Sequence, residues 1–280
     1  GERKPLRMWI SMMASHAGNQ GLSGSSFGGA VGVDGELMDG AALIGVALNL
    51  SQSWFSNNAP NSTINATNFG LSGYAVGRFG QGYLSGIAYV GGNGAGYDRN
   101  LYALGLNLQT STHINSTVAA GRIEGGWRFQ LADSPLHVTP FLAIQPTQIW
   151  QGGASESFGA AGAGLTYQGG GITALPMNLG FQLDAKWKLT DVAEESLETW
   201  LRVAWMHDFL PNRSVTRSFA ELPGQGFSTP GNWNVTNAAV VRAGVNYRLD
   251  GNSSLFGSLD TTLSPNWWSV GGVFGYRRTW

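Results

Sequence analysis

The sequence predicts an all-β fold, a twelve-stranded antiparallel up-and-down transmembrane β-barrel, and three observations predict it. Charged residues make up 12% of the 280, about half the share that keeps an ordinary soluble surface hydrated, while Gly reaches 42 and Trp 11. Apolar residues alternate with small or polar ones, so one face of a strand suits lipid while mean hydropathy stays at -0.07. The segments that alternate are joined by connections that read long, short, long, short, as in a meander rolled up between two unequal rims.

The same composition excludes other classes. No apolar run approaches the roughly 20 residues of a membrane-spanning helix. A net charge of -1 leaves no basic footprint for nucleic acid. With no Cys there are no disulfides and no thiolate metal sites. The opening GERKPLRMW has no signal-peptide core, so an export signal is expected upstream of it.

Taken in order, the first strand is expected over about Leu6 to His16, with Leu6, Met8, Ile10 and Met12 on one side. A Gly, Ser and Asn-rich loop to Ser25 leads to the second, Ser26 to Met38. Asp39-Gly40, a dipeptide suited to positive φ, turns it into the third, Ala41 to Trp54. SNNAPNSTINAT then reads as a long polar loop before the fourth, Asn68 to Phe79, which turns at Gly80-Gln81 into the fifth, Gly82 to Asp98. A polar stretch to Thr112 precedes the sixth, Asn115 to Phe129, and the compact QLADSP leads to the seventh, Leu136 to Trp150.

The loop QGGASESFGAAGAGLTYQGGG precedes the eighth strand, Leu175 to Leu189, and TDVAEES precedes the ninth, Leu197 to Phe209. The longest loop, PNRSVTRSFAELPGQGFSTPGN, leads to the tenth, Val235 to Leu249. Asp250-Gly251-Asn252 returns the chain to the eleventh, Ser254 to Leu263, and Trp267 to Trp280 is the twelfth. An even count puts both termini at the short-turn rim, expected to face the periplasm. In the last strand Trp268, Val270, Phe274, Tyr276, Arg278 and Trp280 share a face opposite Ser269, Gly271, Val273, Gly275 and Arg277. Trp54 and Trp150 before long loops, and Phe79, Tyr83, Trp127, Phe129, Trp187 and Trp280 beside short turns, are expected to form two interfacial girdles.

Inward parity selects the lining. Glu124 shares a face with Arg122 and Arg128, Arg202 with Asp208, and Asp184 lies on the polar face of the eighth strand; Arg242 and Asp260 occupy the inner faces of the tenth and eleventh. These groups either contact a segment passing through the bore or satisfy one another across it, and parity alone fits both. His16, His113, His137 and His207 stand at no metal-ligand spacing and are expected at the rims. No cofactor motif is present: the GxG pairs at Gly162 and Gly224 complete no phosphate-binding fingerprint. A lipase with His207 and a neighbouring Ser on the lipid face is the enzyme alternative, and nothing in the spacing calls for it.

The ordered segments FGGAVGVDGEL, IGVALNLSQS, GLSGYAVGRF, YLSGIAYVGG with YDRN, RIEGGWRF, LETWLRVAWMHDF, VVRAGVNYRL, LFGSLDTTL and the aromatic last strand resemble, over nearly the whole chain, the carboxy-terminal translocator domain of monomeric autotransporters. The resemblance implies a non-enzymatic, monomeric outer-membrane barrel in contact with lipid, which takes part in moving its own amino-terminal passenger and linker helix. It implies a lumenal Glu at Glu124, a β-hairpin in the loop from Pro211 to Asn232, and recognition of Phe274, Tyr276 and Trp280 by the barrel assembly machinery. Residues 1–5 would be a remnant of the passenger linker and 6–280 the barrel. Arg278 departs from the apolar pattern of the family's last strand, and the linker helix that precedes the first strand is missing or reduced to GERKP. A plain diffusion channel of the same architecture is the alternative function; a soluble β-sandwich is the alternative fold.

Overall fold

Strands with a two-residue period and donors and acceptors on both edges have one way to leave no edge exposed in lipid, which is to close on themselves. The computed structural model describes residues 6–19, 21–58, 61–103, 106–131, 134–158, 164–188, 195–220, 224–230 and 234–280. Twelve strands form its wall. The first six are β1 Leu6–Gly18, β2 Leu22–Leu37, β3 Ala42–Asn58, β4 Asn61–Phe79, β5 Gly82–Ala103 and β6 Leu106–Trp127, continued by Phe129–Gln130. The others are β7 Leu136–Ile144, continued by Thr147–Gln151; β8 Gly170–Ala174, continued by Pro176–Lys188; β9 Ser196–Asp208; β10 Asn237–Arg248; β11 Ser253–Ser264; and β12 Trp267–Thr279.

Every strand pairs antiparallel with its neighbours in the chain, and β12 returns to β1 with Arg7 opposite Thr279 and Gly18 opposite Trp268. The barrel is closed, and both termini stand at one rim, called here the terminal rim. β7 is interrupted at Gln145 and Pro146, where the proline lacks a donor, and β8 at Leu175, whose N–H goes to the Asp208 carboxylate at 3.0 Å. The wall continues past both breaks by Gly121 N–H donating to the Pro146 carbonyl and Gln145 N–H to that of Pro176, both at 2.9 Å.

Tight turns lie at the terminal rim as expected, but the far rim has one too, where β11 and β12 meet over residues 265–266. Met38, Asp39 and Gly40 all have positive φ (52°, 54° and 88°), and Gly80 has φ 59°. The polar stretches expected as long loops at the far rim are instead largely strand. β3 and β4 run to Asn58 and from Asn61, β5 and β6 to Ala103 and from Leu106, and β2 begins at Leu22. About ten residues suffice to cross a bilayer, so the 22 of β5 and of β6 carry the wall well past it. Beyond the lipid the outward face no longer needs apolar residues, so alternation fades while pairing persists. β9 and β10 stop short, at Asp208 and Asn237, so the far rim is tall over β3–β8 and low over β9–β12.

Outward parity holds the belt of exposed large apolar side chains, among them Met8, Ile10, Leu48, Leu71, Val90, Ile123, Leu179, Leu201, Leu259 and Val270. Of the expected girdles, Trp54, Trp150, Phe79, Trp127, Phe129, Trp187 and Trp280 are exposed. Tyr83 is the exception and points inward, its hydroxyl 2.7 Å from Glu124. Arg278 lies opposite the exposed Met8 across the seam and shares the outward face of Phe274 and Trp280. The expected remnant of the passenger linker, residues 1–5, lies outside the described residues.

Candidate functional site

The inner wall gathers its charges into separate groups. The largest is centred on Glu124, three residues from the Trp127 end of β6 and 5% exposed. Both its oxygens are bound by Arg202 of β9, Nη2 to Oε1 at 2.9 Å and Nη1 to Oε2 at 3.0 Å, a bidentate fork spanning β7 and β8. Arg122 adds a donor at 2.5 Å and Tyr83 one at 2.7 Å. Arg202 is held from behind by Gln182, 3.0 Å from Nη2, and lies 4.2 Å over the Phe141 ring. The register aligns Arg242 with Arg202 on one side and Asp260 on the other, so a third guanidinium extends the group along the wall.

The other lining residues do not join this group. Arg128, expected beside Glu124, is ion-paired with Asp184 toward the terminal rim, because its backbone N–H goes to the Gln81 carbonyl at 2.9 Å where the strand ends. Asp208, expected beside Arg202, is buried at the end of β9: it pairs with Arg213 and accepts from the amides of Leu175 at 3.0 Å and Leu210 at 2.9 Å. It anchors the loop rather than lining mid-bore. A second group, missed from sequence, lies on the β1–β4 side. Arg7 reaches Asp34 at 2.6 Å and Glu36 at 3.1 Å, Tyr74 donates to Asp34 at 2.8 Å, and Trp9 Nε1 to the Tyr74 hydroxyl at 2.8 Å. Its signal was available: Arg7 and Asp34 have the parity opposite to Met8 and Val33.

A small sheet covers the far mouth. The hairpin Ser214–Phe219 with Gly226–Pro230, in the loop where one was expected, pairs through Ser214–Phe219 to Leu165–Tyr167 and so to Ala154–Ser155. Leu165 and Tyr167 pack on Ile114 and Tyr97, which sit on the inner face of the tall β5–β6 wall. The sheet therefore leans from the low side of the rim onto the inside of the high side. It is pinned by buried Glu156, which takes the Arg99 guanidinium with Nε at 3.0 Å, the Leu165 amide at 2.9 Å and the Tyr167 hydroxyl at 3.0 Å. Burial alone would raise the Glu156 carboxyl, but these donors and the Arg99 charge outweigh it and hold the group below the usual carboxylate range. Burial and the Glu156 charge push Tyr167 up to about 12.

The histidines divide by face. His16 and His207 are outward near the far rim, bonded to Ser25 at 2.8 Å and Asn237 at 2.9 Å; His137, opposite Asp184 in register, is inward. His207 lies between Trp205 and Phe209, tilted to the first and edge-on to the second, and its hydrogen bond to Asn237 is not the Ser–His pair that the lipase alternative needs.

A closed wall with an apolar belt outside, ionic groups inside and a small sheet at one mouth defines a membrane-spanning barrel. The chain belongs to the autotransporter β-domain family, whose model matches residues 8–260, and is an outer-membrane translocator barrel. The fold is similar to the translocator domain of the autotransporter NalP from Neisseria meningitidis (TM-score 0.76, 15% identity, 99% of this chain and 89% of that one). It is also similar to the β-domain of the Bordetella autotransporter BrkA (0.71, 15%, 99% and 100%) and to the transport unit of AIDA-I from Escherichia coli (0.55, 12%, 100% and 91%). No curated protein matches the sequence.

Proposed function

We propose that this barrel sits in the outer membrane as a monomer with its terminal rim in the periplasm, and that a passenger amino-terminal to β1 reaches the cell surface with its help. The observation that carries the reading is the family match across a closed barrel with an ionic lumen. The Glu124–Arg202–Arg122 group and Arg242 with Asp260 offer charged partners of both signs to a linker or passenger segment in the bore. Arg128–Asp184 would stand at its periplasmic entry and Asp208 at its outer mouth, with the cap over the exit. Phe274, Tyr276 and Trp280, all on the outward face of the seam strand, are the side chains we assign to recognition by the assembly machinery. Arg278, on the same face at the terminal rim, would place its guanidinium among the headgroups, where a cation costs little.

The test is a fusion of a signal peptide and a reporter passenger to residue 1, scored by protease access on intact cells, with heat-modifiable migration reporting barrel insertion. The reading requires surface-exposed reporter in cells whose barrels are inserted. Inserted barrels with a reporter retained in the periplasm would overturn it and leave the channel alternative.

A further inference from the structure

The outward wall holds a notch that the translocator role does not use. One row of cross-strand neighbours reads Phe274 on β12, Met12 on β1, Gly29 on β2, Leu50 on β3 and Phe69 on β4. The four large side chains project, at 60%, 60%, 62% and 60% exposure, and Gly29 leaves a gap in their middle. Along β2 the gap is closed by Phe27 toward the far rim and Val31 toward the terminal rim, both exposed. The result is an apolar slot walled on four sides by Met12, Leu50, Phe27 and Val31.

Polarity changes one row above. Phe27 stands beside Gln52 and Thr67 in register, and the Thr67 hydroxyl donates to Gln52 Oε1 at 2.6 Å. That leaves the Gln52 amide nitrogen with no acceptor among the described residues and the Thr67 oxygen with lone pairs to spare, a donor and an acceptor side by side. The row beyond carries Ser25, bonded to His16, with Trp54 and Asn65. One row inside the exposed Trp54, the Gln52 and Thr67 groups are open to the polar part of whatever lipid lies at that depth.

We propose that this face is a lipid site that holds one acyl chain of an outer-leaflet glycolipid of the lipid A type. The chain lies in the Gly29 slot, its amide or hydroxyl pairs with Gln52 and Thr67, and its sugar rests against Ser25 and Trp54. A donor beside an acceptor matches an amide-linked, hydroxylated chain, which both accepts and donates; the ester of a phospholipid only accepts. The assignment to the outer leaflet rests on the orientation proposed above.

Native mass spectrometry on the folded barrel, delipidated and titrated with lipid A or with phosphatidylethanolamine of matched chain length, tests it. Parent barrel is expected to retain one lipid A in preference to phosphatidylethanolamine. Gly29→Leu should lose that binding at least tenfold, and Gly73→Leu, outward with nothing within 4 Å of its added carbon, should not. Because the first carbon added at Gly29 meets the Ser11 carbonyl at 3.1 Å, folding is checked by heat-modifiable migration. Gln52→Leu serves as the second variant and should abolish the preference between the two lipids. Equal binding by parent and Gly29→Leu, a preference unchanged in Gln52→Leu, or no lipid A on the parent would each overturn the site. Binding in micelles does not depend on orientation, which is read separately by labelling Asn252→Cys and Asn266→Cys on intact cells. Labelling of the first alone would reverse the leaflet and sink the glycolipid assignment while sparing the slot.

Discussion

Replacing Glu124 removes the one carboxylate that two arginines and a tyrosine share. In Glu124→Gln the neutral amide keeps the shape but can no longer take the Arg202 fork at 2.9 and 3.0 Å, and its NH₂ faces guanidinium donors. The carboxylate is 6% exposed and the two arginines 19% and 24%, so these charges are only partly screened. Breaking a buried pair by deleting one partner costs about 3–5 kcal/mol. A wet bore places the expected loss at the lower end, about 3 kcal/mol, or roughly a hundredfold in the folding equilibrium. Arg202→Met, which keeps the bulk over Phe141 and removes the charge, closes a double-mutant cycle. Urea unfolding of the barrel in lipid vesicles, followed by Trp fluorescence, gives the four stabilities. A coupling of about 1–3 kcal/mol between Glu124 and Arg202 is expected. A coupling within about 0.5 kcal/mol of zero would mean that the fork contributes no more than independent surface charges do, and the bore has no ionic keystone.

The remaining expectations concern the cap, the wall and the seam. Arg99→Ala should unpin the mouth and raise single-channel conductance in planar bilayers, and unchanged conductance would show that the cap does not obstruct flow. Because the folded Glu156 carboxyl is held down, its contribution is present above the ordinary carboxylate range and lost as pH falls through its lowered value. Conductance should therefore rise only in strong acid, and Glu156→Gln should remove that step and conduct at neutral pH as the parent does in acid. Leu259→Arg, on the lipid face at mid-strand, should cost about 2–4 kcal/mol in urea unfolding from vesicles, whereas Ser258→Arg, facing the bore, should cost much less. Deleting Trp280 should lower the inserted fraction in cells while leaving unaided refolding into detergent unchanged; an equal loss in both would make its role one of stability.

What was legible in the sequence was parity. Leu6, Met8, Ile10 and Met12 against Arg7 and Ser11 identify the two faces of β1 without further information, and the same reading placed Arg122, Glu124, Arg202, Arg242 and Asp260 inside. Parity gives a face but neither a height nor an angle around the barrel, so it could not show that Arg202 rather than Arg128 meets Glu124. Height depends on register, and register becomes visible only in pairs such as Gln182 opposite Arg202. Tyr83 was misread for a related reason. An aromatic near a turn suits a girdle by position, yet its odd number puts it on the face of Ser85, where Glu124 lies opposite. The far-rim strands were read as loops because Asn, Ser and Thr look alike in a loop and in a strand that has left the membrane. Alternating connection lengths thus pointed to the correct fold through partly mistaken elements: what alternates is less loop length than how far paired wall extends beyond lipid.

The glycine excess has the same geometric origin. Lumenal aromatics lie flat against the wall across a strand from a glycine: Trp9 over Gly32, Tyr74 over Gly45, and Trp200 over Gly244. A side-chain carbon at those glycines would come within 2.4, 2.4 and 2.3 Å of the ring atoms. Glycine in a strand interior costs about 0.5–1 kcal/mol relative to alanine. The cost is offset here because each ring is packed sideways instead of projecting into the bore, and the Trp9 and Tyr74 rings can then hydrogen-bond each other and Asp34. Glycine and aromatic content, which at the level of composition only marked the surface as unusual, are therefore coupled in space. The pairing lines the bore with large rings while sparing its width, and so leaves charge as the feature that a segment in the lumen would meet.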